Sequence, residues 1–200
     1  MSVPTLTPDE SSALLEVAAR SIHDVLARGT CMPPDESEHD GALREKGATF
    51  VTLERDEQLL GCIGSLEATR PLVVDVAANA VAAALYDPRL PPVSVDDYPL
   101  MAIEISVLSR IEPLPVESYD ELARALAPGR DGLVVEVGPH RATFLPAVWR
   151  HFGDDVEGFL GALWSKAGLV PAAWDPHTRC GRYTATKLVD PGPRAPVARH

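Results

Sequence analysis

The stretch Ala48-Thr49-Phe50-Val51-Thr52-Leu53-Glu54-Arg55-Asp56-Glu57-Gln58-Leu59-Leu60-Gly61-Cys62-Ile63-Gly64 sets the fold class. Two strand-like runs, 48–53 and 58–64, flank the polar Glu54-Arg55-Asp56-Glu57, which predicts a β-hairpin. In the second run Gly61 and Gly64 frame Cys62. Glycine costs entropy in a strand and packs nothing, so two of them around one thiol point to a bulge, a bend, or close approach by a ligand or a second backbone. Free cysteine is also among the most readily buried residue types, and a packing role for Cys62 stays open beside a chemical one.

Downstream, Leu133-Val134-Val135-Glu136-Val137 and Arg141-Ala142-Thr143-Phe144-Leu145 are separated by Gly138-Pro139-His140 and read as a second hairpin. Between the hairpins, Met101 to Leu108 alternates, with Ile103, Ile105 and Val107 on one face and Glu104 and Ser106 on the other. A last strand is expected over Arg182 to Leu188, and residues 190–200 are expected to form a disordered tail.

Helices lie around these strands. Thr7, Pro8 and Glu10 form a capping-box signal ahead of Leu14, Ala18, Ile22, Val25 and Leu26 at helical spacing, with Gly29 as the stop. Residues 29–47 carry prolines and charges and read as a long surface loop. After Pro71 the alanine-rich run to Leu85 has an apolar stripe at Val73, Val76, Ala77, Ala80 and Ala84, small enough to lie close to a sheet, and Asp87-Pro88-Arg89-Leu90-Pro91-Pro92 ends it as a rigid loop. Tyr119 to Leu126 and Asp155 to Ala167 complete the helical segments. Hairpins joined to helices by crossovers predict an α+β fold around a mixed, mostly antiparallel sheet, in one domain over 7–189.

Composition narrows the function classes. A chain of 200 residues with 46% hydrophobic content can bury a full core without staples. The net charge of −11 and the absence of a lysine or arginine block argue against general nucleic-acid binding. No run is long and apolar enough for a membrane span and the N-terminus lacks a signal-peptide pattern, so a cytoplasmic location is expected. Cys31, Cys62 and Cys180 are widely spaced and suit neither a disulfide framework nor a metal knuckle. His140, His151 and His177 show no metal-ligand spacing, and no dinucleotide fingerprint, phosphate loop or nucleophile elbow occurs, so no metal or cofactor is expected. Trp149, Trp164 and Trp174 are expected in core or domain contacts.

The motifs Phe50-Val51-Thr52-Leu53, Leu59 to Gly64, Asp87 to Pro92, Ile103 to Leu108, Gly132-Leu133-Val134 and Thr143-Phe144-Leu145-Pro146, in this order, resemble the AMMECR family, named from the AMME syndrome chromosomal region, and specifically its bacterial branch, the A component of the AmmeMemoRadiSam system. The resemblance runs from about Leu14 to Leu188. It implies an α+β fold of two unequal parts forming a cleft, and partnership with a Memo-type protein and a radical S-adenosylmethionine protein. It supplies no reaction. The family's Leu-Arg-Gly-Cys-Ile-Gly motif has Leu60 here in place of the arginine, so no guanidinium stands next to the cysteine in sequence.

Three functional readings follow. In the first, the chain binds or presents a substrate to those partners, with Gly61, Gly64, Arg89, Ser106 and Arg182 lining the cleft. In the second, Cys62 is a thiolate nucleophile, assisted by Glu104, by a cation from Arg70, Arg89 or Arg182, and by the N-terminus of the helix after Pro71. In the third, Cys62 and its glycines only permit tight packing.

Overall fold

Thr7 accepts the Glu10 amide on its hydroxyl while the Glu10 carboxylate accepts the Thr7 amide, so both ends of the capping box close and the first helix starts at Pro8. It ends at Gly29, whose left-handed φ of 72° lets its amide return to the Val25 carbonyl. The computed structural model describes residues 5–198. In chain order the elements are α1 (Pro8–Arg28), β1 (Lys46–Gly47), β2 (Thr49–Arg55), β3 (Gln58–Gly64), β4 (Arg70–Pro71), α2 (Leu72–Leu85), β5 (Ala102–Leu108), β6 (Glu112–Leu114), α3 (Tyr119–Ala125), β7 (Gly132–Val137), β8 (His140–Phe144), α4 (Val156–Lys166), β9 (Arg179–Tyr183) and β10 (Ala185–Asp190). The class is α+β, as expected, and the described residues divide into a larger unit of 5–108 with 186–198 and a smaller one of 109–185.

In the larger unit, a four-stranded sheet has the order β10-β5-β2-β3, with β2 antiparallel to both β3 and β5. Its hairpin turn is tighter than the polar tetrapeptide suggested. Arg55 pairs with Gln58, leaving Asp56 and Glu57 alone at φ of 51° and 64°, the positive values that a two-residue turn demands. Val51, Leu53, Ile103, Ile105 and Val107 are fully buried, and so are Leu14, Ala18 and Ile22 of α1 and Val73, Val76 and Ala80 of α2. The Ala-rich helix comes close because β3 offers it a glycine: a Cβ on Gly61 would lie 1.9 Å from the Ala83 carbonyl oxygen. Gly64 has the same kind of reason, since a Cβ there would meet the Thr49 carbonyl and the Phe50 ring at 2.3 Å.

A polar latch crosses this helix–sheet seam. Asp75 is fully buried on α2, and its Oδ2 accepts the Thr49 amide at 2.9 Å, the Thr49 hydroxyl at 2.7 Å and the Asn79 amide at 2.9 Å. Arg70 donates to the remaining oxygen at 2.6 Å. Every lone-pair direction of the carboxylate is thus occupied, the condition under which a buried charge is tolerated.

In the smaller unit, the sheet order is β6-β9-β7-β8 and the core is aromatic. Leu133, Val135 and Cys180 face Leu122, Phe159, Leu160, Leu163 and Trp164 from α3 and α4. Trp149 stacks on Phe159 at 3.8 Å and donates its indole N–H to the Asp131 carbonyl at 2.7 Å, and Trp164 donates to the Ala173 carbonyl at 2.9 Å. Trp174 packs against Trp164. Burial pushes the Cys180 thiol up to about 12.

Three expectations are corrected. The single last strand over 182–188 is two strands in different sheets, β9 and β10, separated at Thr184, whose amide and carbonyl both bond to Ser109. Strand-forming residues run through that point without a glycine or proline to mark the change of sheet. The tail is ordered through residue 198: Arg194 donates to the Met101 carbonyl at 2.6 Å and to Asp190 at 2.8 Å, and Val197 is buried. Residues 199 and 200 lie outside the described part. The segment 29–47 contains two short 3-10 turns, at Glu36–Glu38 and Gly41–Leu43, and buries Leu43. No helix among the described residues is long and apolar enough to cross a membrane.

Candidate functional site

Alternation along β2 turns Thr49, Val51 and Leu53 toward α2 and therefore Phe50 and Thr52 to the opposite face of the sheet. Register then builds a row across it. Thr52 pairs with Cys62 on β3 and with Glu104 on β5, and Glu104 meets Lys187 of β10 at 2.5 Å. Cys62, Thr52, Glu104 and Lys187 thus run in order over four adjacent strands. Beside them, Phe50 lies between Gly64 and Ser106.

Within the row, the Thr52 hydroxyl donates to Cys62 Sγ at 3.3 Å. The proximity follows from pairing type: Cys62 sends its amide and carbonyl away from β2, so Thr52 and Cys62 form a non-hydrogen-bonded pair, in which side chains stand closest. Those outward groups are clamped by the proline loop. The Cys62 amide donates to Asp87 Oδ2 at 2.9 Å and the Cys62 carbonyl accepts from Arg89 Nη2 at 3.2 Å. Because β3 is a sheet edge, this pair also closes a position where another strand could add.

Asp87 and Arg89 are matched for this. The Asp87 side chain is only 2% exposed and accepts from Arg89 Nε at 2.9 Å and Nη2 at 2.7 Å. Those bonds hold its carboxyl well below the usual carboxylate range against the opposing effect of burial, and the Cys62 amide adds to the lowering. The same partner raises the Arg89 guanidinium, which keeps 59% of its side chain exposed.

The residues singled out from sequence fall into separate groups. Cys62, half-buried, Glu104 and Ser106 do share one sheet face, with Ser106 buried. Arg89 reaches Cys62, but at the backbone carbonyl. Gly61 and Gly64 are accounted for by close packing within the unit. Arg70 is engaged by the buried Asp75. Arg182 belongs to the smaller unit, where it donates to the Ala125 carbonyl and stands 3.8 Å from the buried Asp131. The helix-dipole expectation is overturned: Gly61 lies at Ala83, about 16 Å along α2 from Leu72, near the C-terminal end that disfavours negative charge. Leu60 occupies the irregular position of the hairpin, because Leu53 pairs with Gly61 and Glu54 with Leu59.

Four participants escaped sequence reading. Thr52 and Lys187 become neighbours of the candidate residues only through register, and Asp87 joins them across the loop. Asp75 looked like one charge in an apolar helix; its spacing of four from Asn79 was the available signal that both face the same strand. Among the described residues, no group of three or more His, Cys, Asp or Glu side chains is placed to hold a metal ion.

Comparison with known proteins agrees with this architecture. Residues 15–188 match the AMMECR1 family. A protein of Methanothermobacter thermautotrophicus is 37% identical over 188 residues, covering 92% of this chain and 96% of its own length. One from Thermococcus gammatolerans is 38% identical over 192 residues, covering 93% of each. The crystal structure of the uncharacterized protein PH0010 from Pyrococcus horikoshii has a TM-score of 0.83 to this chain at 35% identity and covers 94% of both. With the match spanning both four-stranded sheets and the motif around Cys62, the chain belongs to the AMMECR1 family.

Proposed function

We propose that this chain is the A component of an AmmeMemoRadiSam system, a binding or substrate-presenting partner of a Memo-type protein and a radical S-adenosylmethionine protein. The row Cys62, Thr52, Glu104 and Lys187 carries the reading. It places a thiol, a hydroxyl and an ion pair side by side on the sheet face turned away from the helices, while its backbone is pinned by Asp87 and Arg89. Such a row offers donors and acceptors on a rigid scaffold, as recognition requires.

Co-purification from the native host tests it. The tagged chain is expected to retain both partner proteins or their substrate, and to lose them in Glu104→Lys. If recognition uses these charges directly, the double swap Glu104→Lys with Lys187→Glu leaves binding lost. If the pair only braces the sheet, the double swap restores it. Retention of neither partner nor substrate by the parent chain would count against the proposal.

A second reading, Cys62 as nucleophile, draws on the half-buried thiol and the Thr52 hydroxyl directed at its Sγ. Glu104 is engaged by Lys187, while Arg89 is fixed by Asp87 and donates to the Cys62 carbonyl, close enough that the Cys62 side chain adds to the raising of its guanidinium. Alkylation of Cys62 in the folded protein, with Cys31 and Cys180 replaced by serine, separates the readings. Reaction faster than a free thiol supports the nucleophile; no reaction until unfolding makes Cys62 a packing residue.

A further inference from the structure

The loop from Thr30 to His39 folds back along α1, and a cavity of about 150 Å³ lies between them. On α1 it is lined by Glu16, Val17, Arg20, Ser21 and Asp24, whose spacing of three and four puts them on one stripe of the helix. Across it stand Met32, Asp35, Glu38 and His39. The loop is tied to α1 at its two ends, by the Gly29 amide on the Val25 carbonyl and by the Ala42 amide on the Glu10 carboxylate at 3.0 Å. Between Thr30 and His39, among the described residues, it makes no hydrogen bond or ion pair to the helix. Because α1 packs on α2, the cavity is separate from the Cys62 row on the opposite face of the sheet.

Ser21 supplies an independent sign of a ligand. It is only 5% exposed, yet its hydroxyl has no hydrogen-bond partner among the described residues. Earlier in the same helix, Ser11 and Ser12 return their hydroxyls to the carbonyl four residues back, each at 2.9 Å. Ser21 makes no such bond and lines the cavity instead, a nearly buried donor and acceptor open to whatever enters.

We infer that this cavity binds a short aliphatic diamine, one ammonium held by Glu16, Asp24 and the Ser21 hydroxyl, the other by Asp35 and Glu38, with the methylenes on Val17 and Met32. The charges select a cation. Four carboxylates line the cavity against the Arg20 guanidinium, and Arg28 stands 3.8 Å from Asp24, so with His39 and His23, which is 3.4 Å from Asp24, neutral, four negative charges less two positive leave two negative. Asp35 spends its Oδ1 on the Ser37 amide and hydroxyl. Among the described residues no three acidic, histidine or cysteine side chains are placed to hold a metal ion, so the two acidic walls stand apart. A compact ion answers one wall, whereas a chain charged at each end answers both. The cavity has about ten times the roughly 10–15 Å³ that one water needs, room for a ligand of several heavy atoms.

The test titrates the full chain with putrescine by calorimetry in physiological salt, where distant charges are screened, and uses butylammonium as the single-charge probe. Putrescine is expected to bind and to raise the melting temperature, and butylammonium to bind about tenfold more weakly. Glu16→Gln with Glu38→Gln takes one charge from each wall and should weaken putrescine about tenfold. Ser21→Ala favours the helix, so the free protein should melt no lower while putrescine binds about fivefold more weakly. Arg20→Gln removes the opposing charge and should tighten binding. Absence of putrescine binding, equal binding of butylammonium, unchanged affinity in both the double variant and Ser21→Ala, or weaker binding in Arg20→Gln would each overturn the site.

Discussion

The two four-stranded sheets of this protein are covered by opposite means. In the larger unit, α2 meets β3 where Ala83 lies against Gly61, so backbones approach almost to contact, and a satisfied carboxylate, Asp75, latches the seam. In the smaller unit, Trp149, Phe159, Trp164 and Tyr119 fill the space with rings. A seam of small residues is intolerant of added atoms, and an aromatic core is intolerant of lost ones. The same mutation class therefore has opposite consequences on the two sides.

All three tryptophans, Trp149, Trp164 and Trp174, lie in the smaller unit, so their fluorescence follows that unit while far-ultraviolet circular dichroism follows both. Phe159→Ala removes the ring stacked on Trp149 and should destabilise by about 4 kcal/mol. Its signature is a fluorescence transition moved to lower urea. Gly61→Ala comes next, at about 3 kcal/mol, because the new methyl must displace the Ala83 carbonyl. Here the dichroism transition moves first; an equal shift of the fluorescence transition would show that the units unfold together and would dissolve the contrast.

Asp87→Asn weakens the clamp on Cys62 by about 2 kcal/mol near neutral pH, less than a fully buried pair because Arg89 is largely exposed. The sign of its pH dependence follows from the lowered carboxyl. The aspartate's contribution is complete above its unfolded value, near 4, and is lost as the pH falls through the lower folded value, so the gap between parent and variant narrows below about pH 4. Urea titrations at neutral and acidic pH check this, and a gap independent of pH would refute it. Thr52→Val is the mildest change, at about 1 kcal/mol or less, and its readout is chemical. Alkylation of Cys62 in a Cys31→Ser background should slow about threefold, the rate equivalent of one weak hydrogen bond. Cys180 stays silent in this assay because its buried thiol is pushed up to about 12.

Both hairpins, the alternating strand at Ala102–Leu108 and the helix at Leu72–Leu85 were legible from patterns of two and of 3.6, since those periods are local properties of the chain. The glycine frame around Cys62 was legible as a sign of close approach, although its object, Ala83 of α2, was not. The break between β9 and β10 was hidden because strand-forming residues run on through Thr184, and the change of sheet rests on the bonds of Thr184 to Ser109, far away in sequence. The order at Arg194 was hidden because it rests in part on the Met101 and Pro99 carbonyls, far away in sequence.

Composition and periodicity were sufficient for the α+β class, the boundaries of the helices and of the two hairpins to within a few residues, and the shared face of Glu104 and Ser106. Which strands stand next to one another, and hence that Cys62, Thr52, Glu104 and Lys187 form one row while Arg182 serves Asp131 elsewhere, came from three-dimensional folding alone. The physical reason is one of range. A side chain's face is set by its own backbone geometry, whereas its neighbours across a sheet depend on register and strand order, which are properties of distant segments brought together by burial.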